Sequence, residues 1–365
     1  MSDDEADPEL LEFLRQRFKK TTLEPVIPET HVLEGAEYVY SNSIDVALDS
    51  QSTKAAAAMI YEQMQKKQYS RKTWSSHELH PKVKDESTVD FIFTMDLLNF
   101  SFWSEKSEDE RFAIEYKGKK WTGYWSLVAA LQRALEEDIP ITSSDFWQNE
   151  LECSEEMFRY VFRGCTDEEM PMILERLACL REAGQILYEK YECSFTNCIK
   201  AAKHSAASLV NLLAEKFPCF NDCVKFENRK NVRFLKRAQI CVADLWAAFD
   251  GQDWGEFDDI DKITMFADYR IPQLLASLGC LWYNPQLDHA VRQEREIASG
   301  NTWEIQLRGC SIWCVELIRR EILKHHPDAK INAILIDFFL YDTMKERELA
   351  GQEQIPHHRT RSIWY

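Results

Sequence analysis

The sequence predicts a mostly α-helical protein with one small β-hairpin near residues 112–122. From Tyr124 onward, apolar residues recur with the period of amphipathic helices. Proline and glycine residues separate the periodic segments, as is typical of helix ends. The chain of 365 residues is 45% hydrophobic and 12% aromatic, so it can bury a large core.

The first predicted helix lies in the acidic N-terminal segment. Asp7-Pro8 is a typical helix start, and Pro25 and Pro28 end the helix in an extended connector. A second helix is predicted around the alanine block 55–58, with Ser52 as its candidate N-cap.

A nearly continuous apolar and aromatic run extends from Phe91 to Trp103. After a polar loop, two short β-prone segments flank Lys117-Gly118-Lys119, which predicts the hairpin. This hairpin is the only β element that the pattern indicates. Later helices are predicted at about 124–137, 154–163, 171–191, 195–216, 234–249, 271–283, 303–325 and 331–347.

The organisation of the chain follows from these elements. No repeat, low-complexity tract or disordered linker separates the predicted helices. We therefore expect residues 1–30 to form an acidic helix and connector, and residues 31–365 to form a single helical domain.

The formal net charge of -17 argues against a nucleic-acid polymer as partner, because such a surface repels phosphates. It is compatible with one small phosphate held in a local basic pocket. The acidic N-terminus lacks the pattern of a signal peptide, and no apolar run is long enough for a membrane span. We expect a cytoplasmic protein, with the nucleus as a second compartment.

Several common chemistries are absent from the sequence. There is no nucleotide-binding glycine motif, no Walker loop and no GxSxG elbow. The 11 cysteines are not arranged with histidines at zinc spacing, so we expect free thiols, no metal and no cofactor. The acidic cluster 258–261 has no EF-hand spacing and indicates a solvated loop. Carboxylate, lysine and arginine chemistry remains.

Asp268 is the strongest candidate catalytic residue. It lies among apolar and aromatic neighbours, directly before a predicted helix that has Pro272 in its first turn. A carboxylate in this position can cap the helix, or it can serve an active site. The pattern leaves both interpretations open, and the helix start favours the ionised carboxylate.

Lys236 is a second candidate, on a helix whose apolar stripe also contains Asp244 two turns later. From the pattern alone, the better interpretation is a solvated helix edge, or a lysine stem that covers the core.

Several unusual strings occur along the chain, and together they resemble the queuosine salvage protein family. They are LNFSFW (98–103), GYWSL (123–127), FLKRAQ (234–239), ITMFADYRIPQ (263–273), RGCSIWCVELIR (308–319) and HHRTRSIWY (357–365). The resemblance covers the chain from about Tyr40 to Tyr365.

The resemblance implies an all-helical fold similar to the helix-hairpin-helix DNA glycosylases. It also implies an N-glycosylase that hydrolyses queuosine 5′-monophosphate and releases queuine for salvage into tRNA modification. Those DNA enzymes carry a lysine or polar residue early in one helix and an aspartate downstream, and Lys236 and Asp268 resemble that pair. The separation between the two residues is longer here than in those DNA enzymes.

Further residues are candidates for binding this substrate. Asp96, Asn99 and Phe100 are candidates for the base, since Asp96 and Phe100 share a face with Trp103 if their run is helical. Phe266, Tyr269 and His77 are further candidates around the base. The phosphate needs cations, for which Lys236, Arg237, Arg270, Arg359 and Arg361 are available. For each of these residues a role in packing or on the surface is the alternative.

Two other functions remain open at this point. One is a base-excision glycosylase of the same fold that acts on DNA or RNA, against which the net charge argues. The other is a non-catalytic helical binding module.

Overall fold

The computed structural model describes residues 28–227, 230–352 and 355–365. In chain order its α-helices are α1 (Val32–Ser41), α2 (Ser50–Lys66), α3 (Lys72–Ser76), α4 (Glu86–Leu97), α5 (Tyr124–Glu136), α6 (Ser144–Gln148), α7 (Glu155–Val161), α8 (Ile173–Lys190), α9 (Phe195–Ala202), α10 (Ala206–Lys216), α11 (Lys236–Ala248), α12 (Arg270–Ser277), α13 (Pro285–Arg292), α14 (Thr302–His325) and α15 (Ala333–Leu349). The prediction of a mostly helical protein is confirmed.

The strands form three small antiparallel sheets of two strands each within the described residues. They are β1 (Val46–Leu48) with β6 (Leu281–Tyr283), β2 (Ala113–Tyr116) with β3 (Lys119–Thr122), and β4 (Cys223–Phe226) with β5 (Lys230–Arg233). The predicted hairpin is β2–β3, and both turn residues, Lys117 and Gly118, have positive φ as a tight hairpin turn requires. The expectation of a single β element was wrong.

The long helix α14 forms the centre of the fold. It contacts α1, α2, α12, α15 and β1. Gly309 permits the close approach of α1, because a Cβ atom at this position would lie 2.5 Å from the Cβ of Val39. One continuous cluster of buried apolar side chains extends from Val32 to Met344, and α14 passes through it.

Several helix boundaries differ from the predictions. The apolar run of 91–103 is helical only to Leu97, so Asp96, Phe100 and Trp103 do not share a helical face. The helix predicted over 195–216 is broken at Lys203 and His204, which have positive φ.

Two further boundary predictions were wrong. The helix predicted over 271–283 ends at Ser277, and a turn at Gly279 leads into β6. Asp49 caps α2 by accepting a hydrogen bond from the backbone N–H of Ser52 at 2.6 Å, so Ser52 lies inside the helix.

Other expectations concern the chain as a whole. All 11 cysteines are free, and most are buried. Among the described helices, none is both long and apolar enough to cross a membrane. The helix predicted after Asp7 lies outside the described residues. The domain boundaries and the likeness to helix-hairpin-helix enzymes stay predictions.

Candidate active site

A cavity of about 890 Å³ opens between α11, α12 and α15. Its other walls come from the segment around α3, the loop 99–112, the start of α5 and the C-terminal segment 355–365. The sequence-predicted residues that line it are Lys236, Asp268, Phe266, Tyr269, Arg270, Asn99 and His77. Residues that are distant in sequence therefore meet at one cavity.

Asp268 uses one carboxylate oxygen to hold the start of α12. Its Oδ1 atom accepts hydrogen bonds from the backbone N–H groups of Arg270 (3.0 Å) and Ile271 (2.9 Å). Within the described residues, these are the hydrogen bonds of its side chain, and they leave Oδ2 for a ligand in the cavity. The capping interpretation and the active-site interpretation are therefore compatible, because they use different oxygens.

The charge of Asp268 depends on Lys236. Burial raises the pKa of the Asp268 carboxyl above its usual value, and Lys236 and the two backbone N–H groups oppose this rise. The N–H groups at the helix start favour the ionised form, as the sequence predicts, but the effect of burial is larger. Burial lowers the pKa of Lys236 to about 8, while Asp268 raises it. Each of the two charges stabilises the other.

Asp337 supports the segment that carries Asp268. Its Oδ2 atom accepts a hydrogen bond from the backbone N–H of Phe266 at 3.0 Å. Burial, and then the charge of Asp268, raise the pKa of Asp337 well above its usual value. Asp337 is thus favoured in its neutral form beside the ionisable Asp268.

A group of aromatic side chains lines one part of the cavity. Together with Asp244, which is hydrogen-bonded to Trp74, we call this group the aromatic arm. Its residues are Trp74, His77, His80, Tyr124, Trp125 and Asp244. His77 stacks on Trp125 with ring centroids 3.3 Å apart, and His80 stacks on Trp74 at 3.8 Å. Such stacked rings form a wall that suits a flat ligand.

Hydrogen bonds on both ring nitrogens fix His80 in this arm. His80 lies between the carbonyl of Trp74, 2.8 Å from its Nδ1, and the hydroxyl of Tyr124, 2.7 Å from its Nε2. Burial lowers the pKa of His80 to about 3 and that of His77 to about 4. Both rings are therefore neutral at neutral pH.

Asp244 is the polar residue of the aromatic arm. Its side chain is 3% exposed and lines the cavity two turns beyond Lys236 on α11. This is about 12 Å along the helix axis. Burial and the nearby Asp96 raise the pKa of Asp244 well above its usual value, whereas a hydrogen bond from Trp74 opposes the rise. The interpretation of Lys236 and Asp244 as a solvated edge was wrong, because both are buried.

Asp96 lies behind the cavity rather than in its wall. Burial raises its pKa to about 8, and its Oδ2 atom has no hydrogen-bond partner among the described residues. Its Oδ1 atom accepts a hydrogen bond from Asn99, which does reach the cavity. Asp96 therefore acts on the cavity indirectly, through its hydrogen bond with Asn99 and its charge interactions with Lys236, Asp244 and Tyr124.

Arg237 and Phe100 belong to the core and do not line the cavity. The Arg237 guanidinium donates to the carbonyls of Leu97 (2.6 Å), Asp96 (3.3 Å) and Cys219. Phe100 is fully buried beneath Arg176 and Arg237. The sequence candidates for phosphate and stacking at these positions instead anchor the segment that follows α4.

Charged side chains line a second part of the cavity, which we call the cationic arm. It consists of Arg111, Arg270, Lys345 and Glu348. Glu348 lies between Lys345, at 2.7 Å, and Arg270, at 3.5 Å. Lys345 follows Asp337 by two turns on α15, so this arm too extends from the neighbourhood of Asp268.

The C-terminal segment closes the cavity near Tyr269. The Tyr269 ring stacks against Tyr365 with centroids 6.4 Å apart and lies 4.5 Å from His357. Arg359 lines the cavity but is paired with Glu294 at 2.6 Å. Trp103 donates from its indole to the carbonyl of Thr360 at 2.8 Å, which ties the loop to this segment.

Sequence reasoning missed several residues of the cavity. Lys345, Arg111 and Asp337 lie in ordinary amphipathic or polar segments, where nothing distinguishes them from surface residues. Asp244 and Tyr124 carried a usable signal, since they are polar groups within apolar stripes. No group of three or more histidine, cysteine or acidic residues in the described ranges is arranged to hold a metal.

The helical fold brings Asp268 and the buried Lys236 to one cavity, where their charges interact. A family model described as "Queuosine salvage protein" matches residues 79–365, and the chain belongs to this family. A relative from Schizosaccharomyces pombe is 43% identical, over 92% of this chain and 100% of its own length. A relative from Mus musculus is 41% identical over 91% of this chain and 98% of its own. A bacterial relative, from Sphaerobacter thermophilus, is 38% identical over 85% and 91%. Each of the three is named queuosine 5′-phosphate N-glycosylase/hydrolase.

Proposed function

We propose that the protein is an N-glycosylase that hydrolyses queuosine 5′-monophosphate and releases the base queuine. The observation that carries this proposal is Asp268, which presents a free carboxylate oxygen to the cavity that Lys236 also lines. The similarity to relatives with this named activity, across nearly the whole chain, supports the substrate.

Asp268 acts on the ribose side of the reaction. When the bond between C1′ and the glycosidic nitrogen breaks, the electron pair leaves with the base and the sugar becomes a cation. The ionised Asp268 stabilises this cation, and a water molecule then forms the new C1′–O bond. The proton that this water loses passes to the nitrogen of the departing base, so the products are the free base and ribose 5-phosphate. Lys236 keeps Asp268 ionised by lowering its pKa.

The aromatic arm acts on the base side. A 7-deazapurine has no N7, so the usual protonation of a departing purine at N7 is impossible. The base must leave with the help of stacking and of hydrogen bonds to its other edges. His77 and Trp125 offer the stacking surface, while Asn99 and Asp244 offer polar contacts at the cavity wall.

The alternatives have less support. A glycosylase for DNA or RNA needs a basic face for the polymer, and the net charge of -17 does not favour one. A binding module would not need a lysine beside a buried aspartate. We also propose that the enzyme acts in the cytoplasm, with the nucleus as a second compartment, and without membrane, metal or cofactor.

Replacing Asp268 by Asn tests the proposal. Asn can still cap α12, so we expect a folded protein whose turnover of queuosine 5′-monophosphate falls by about 1,000-fold. Release of queuine is measured by chromatography, and folding by thermal melting.

The matched control is Asp261→Asn, an exposed carboxylate in the same segment, which should keep full activity. Normal turnover by the Asp268→Asn enzyme would refute the catalytic role of Asp268. A wild-type protein that releases no queuine would refute the proposed function itself.

A further inference from the structure

A buried ion pair behind the cavity connects the segments that carry Lys236 and Asp268. Arg308 lies on α14 and Asp222 lies directly before β4; both side chains are buried, and neither lines the cavity. Arg308 donates from Nη1 to Oδ1 of Asp222 at 2.9 Å and from Nη2 to Oδ2. Because it is costly to remove two charges from water, such a pair is weak evidence for stability alone, and its further contacts indicate its role.

Asp222 holds the start of α11, where Lys236 is the first residue. Its Oδ2 atom accepts a hydrogen bond from the backbone N–H of Lys236 at 3.2 Å, and its carbonyl accepts from the N–H groups of Phe234 (3.0 Å) and Leu235 (3.3 Å). Leu235 occupies the N-cap position of α11 with a positive φ and offers no side-chain acceptor. Asp222 therefore supplies from outside the helix the acceptor that a helix start needs.

Arg308 holds the segment that carries Asp268. Its Nε atom donates to the carbonyl of Ala267, the residue directly before Asp268, at 3.2 Å. The rings of Phe234 and Tyr365 lie 4.2 Å and 5.0 Å from the guanidinium carbon and restrict its position. One planar guanidinium group is thus bonded to both sides of the carboxylate–lysine pair, on one side directly and on the other through the acid with which it pairs.

The two charges of the ion pair have opposite effects on Lys236. Burial lowers the pKa of Lys236 to about 8; Arg308 lowers it as well, whereas Asp222 raises it. Burial lowers the pKa of Arg308 itself, but Asp222 and Glu304 raise it by more, so the guanidinium stays charged. The ion pair can therefore hold Lys236 in place without adding a net charge beside it.

We propose that Arg308 and Asp222 are positioning residues for the reaction, which hold Lys236 and Asp268 at a fixed distance and orientation. The proposal rests on the proposed function. The ion pair does not touch the substrate; it acts through the backbone of the two residues that line the cavity. A misplacement of about 1 Å at a reacting group can lower a rate by about 100-fold, so a group that fixes the backbone behind both residues can control turnover.

The first test uses Arg308→Lys, which keeps the charge but loses the fork that bonds Asp222 and Ala267 together. We expect kcat for queuosine 5′-monophosphate, per folded molecule, to fall by about 10-fold to 100-fold. KM should change by less than about threefold, because Arg308 does not line the cavity. Circular dichroism at the assay temperature measures the folded fraction. Arg320→Lys, in an exposed pair with Glu316 on the same helix, is the matched control and should leave kcat and KM unchanged.

The second test is the pH profile of kcat/KM, corrected for the folded fraction at each pH, which a loss of stability alone would not move. If Lys236 moves away from Asp268, the pKa of Asp268 rises and the acid limb moves to higher pH. We expect this shift in Arg308→Lys, and we expect it to be smaller than in Lys236→Met. The other titratable or charged groups that face Asp268 are unchanged in both variants; they are Arg270, Asp337, Tyr269 and Tyr341.

Asp222→Asn tests the other half of the ion pair. Asparagine has nearly the same shape but lacks the charge and the second acceptor oxygen, so we expect kcat to fall by about 10-fold or more. The double variant with Arg308→Lys should lose little more than the weaker of the two single variants, since residues that act as a unit are not additive.

Three outcomes would overturn the proposal. One is a wild-type kcat with an unmoved acid limb in both single variants. Another is failure of both single variants to fold, which would assign the ion pair to stability. The third is a double variant in which the two losses multiply, which would show that Arg308 and Asp222 act separately.

These outcomes are distinct from failure of the proposed function. If the wild-type enzyme releases no queuine, the substrate assignment falls and the positioning role falls with it. If the wild-type enzyme releases queuine and both variants match it, only the positioning role falls.

Discussion

The two arms of the cavity differ in the forces that they can apply to a ligand. Trp74, His80 and Asp244 of the aromatic arm are buried, and His80 is fixed between a carbonyl and a hydroxyl. The cationic arm consists of ion pairs between side chains that are partly open to solvent, such as Glu348 at 35% exposure. One arm offers a rigid surface and the other offers charge.

The two arms also differ in the charge of their side chains. Burial lowers the pKa of His77 to about 4 and raises that of Asp244 well above its usual value, so both are favoured as neutral groups. The cationic arm instead holds three cations around one carboxylate. A ligand with a flat neutral base at one end and a phosphate at the other matches this division, and Asp268 lies where the two arms meet.

The largest expected effect in the aromatic arm concerns Asp244. Replacing it by Leu removes the buried polar group that faces the base, and we expect kcat/KM to fall by about 100-fold. The loss should be equal for queuosine 5′-monophosphate and queuosine, because both carry the same base. This behaviour is the opposite of that expected for the cationic arm, where only the nucleotide is affected.

The Asp244→Asn variant tests whether Asp244 acts as a neutral hydrogen-bonding group. An amide reproduces the acceptor and donor of a neutral carboxylic acid, so this variant should lose no more than about 10-fold. Asp288→Asn, in an exposed pair with Arg292, is the control. If Asp244→Leu lowered activity on the nucleotide much more than activity on the nucleoside, the separation into two arms would be wrong.

The sequence predicted the parts of the fold and of the site that depend on local pattern. The hairpin turn at Lys117-Gly118 and most helices follow from periodicity and turn residues. The pairing of β1 with β6 could not be predicted, because it joins three-residue strands more than 230 positions apart. The helix end at Leu97 was hidden because the apolar run continues beyond it into buried extended chain.

The site also contains residues that the local pattern reveals and residues that it does not. Asp268 stands out locally as an acid among apolar residues before a helix, whereas Lys345 and Arg111 stand out only when the chain is folded. Arg237 shows the converse error, since a basic residue beside Lys236 on a helix start points into the core. Which side of a buried helix faces a cavity depends on the neighbouring helices, and periodicity does not contain that information.

A smaller effect is expected from pH at the junction of the arms. Asp268 must be ionised to stabilise the sugar cation, so activity should fall as the pH drops through its pKa. Lys236 lowers this pKa, and in Lys236→Met the pKa rises, which moves the acid limb of the kcat/KM profile to higher pH. A shift of one pH unit corresponds to about 10-fold in activity on that limb.

The profile has an alkaline side as well. The pKa of Lys236 is about 8. If kcat/KM depends on the charged ammonium group, kcat/KM should fall as the pH rises through this value. This alkaline fall should be absent in Lys236→Met. The measurement is kcat/KM from pH 5 to pH 9.5 for both enzymes. An acid limb at the same pH in both would show that Lys236 does not control the ionisation of Asp268.

The smallest expected effect is that of salt, and it compares the two arms without any mutation. Raising sodium chloride from 0.1 M to 1 M shortens the screening length from about 10 Å to about 3 Å. The side chains of the cationic arm are partly exposed, so salt screens their attraction for the phosphate, and kcat/KM for the nucleotide should fall by about threefold. A fully exposed site would show a larger fall, because salt screens buried charges less. The nucleoside, which lacks the phosphate, should change by less than about 1.5-fold. Sodium sulfate in place of sodium chloride should increase the difference between the two substrates, because sulfate competes with the phosphate for the same donors. Equal salt dependence for both substrates would mean that the phosphate does not reach the cations.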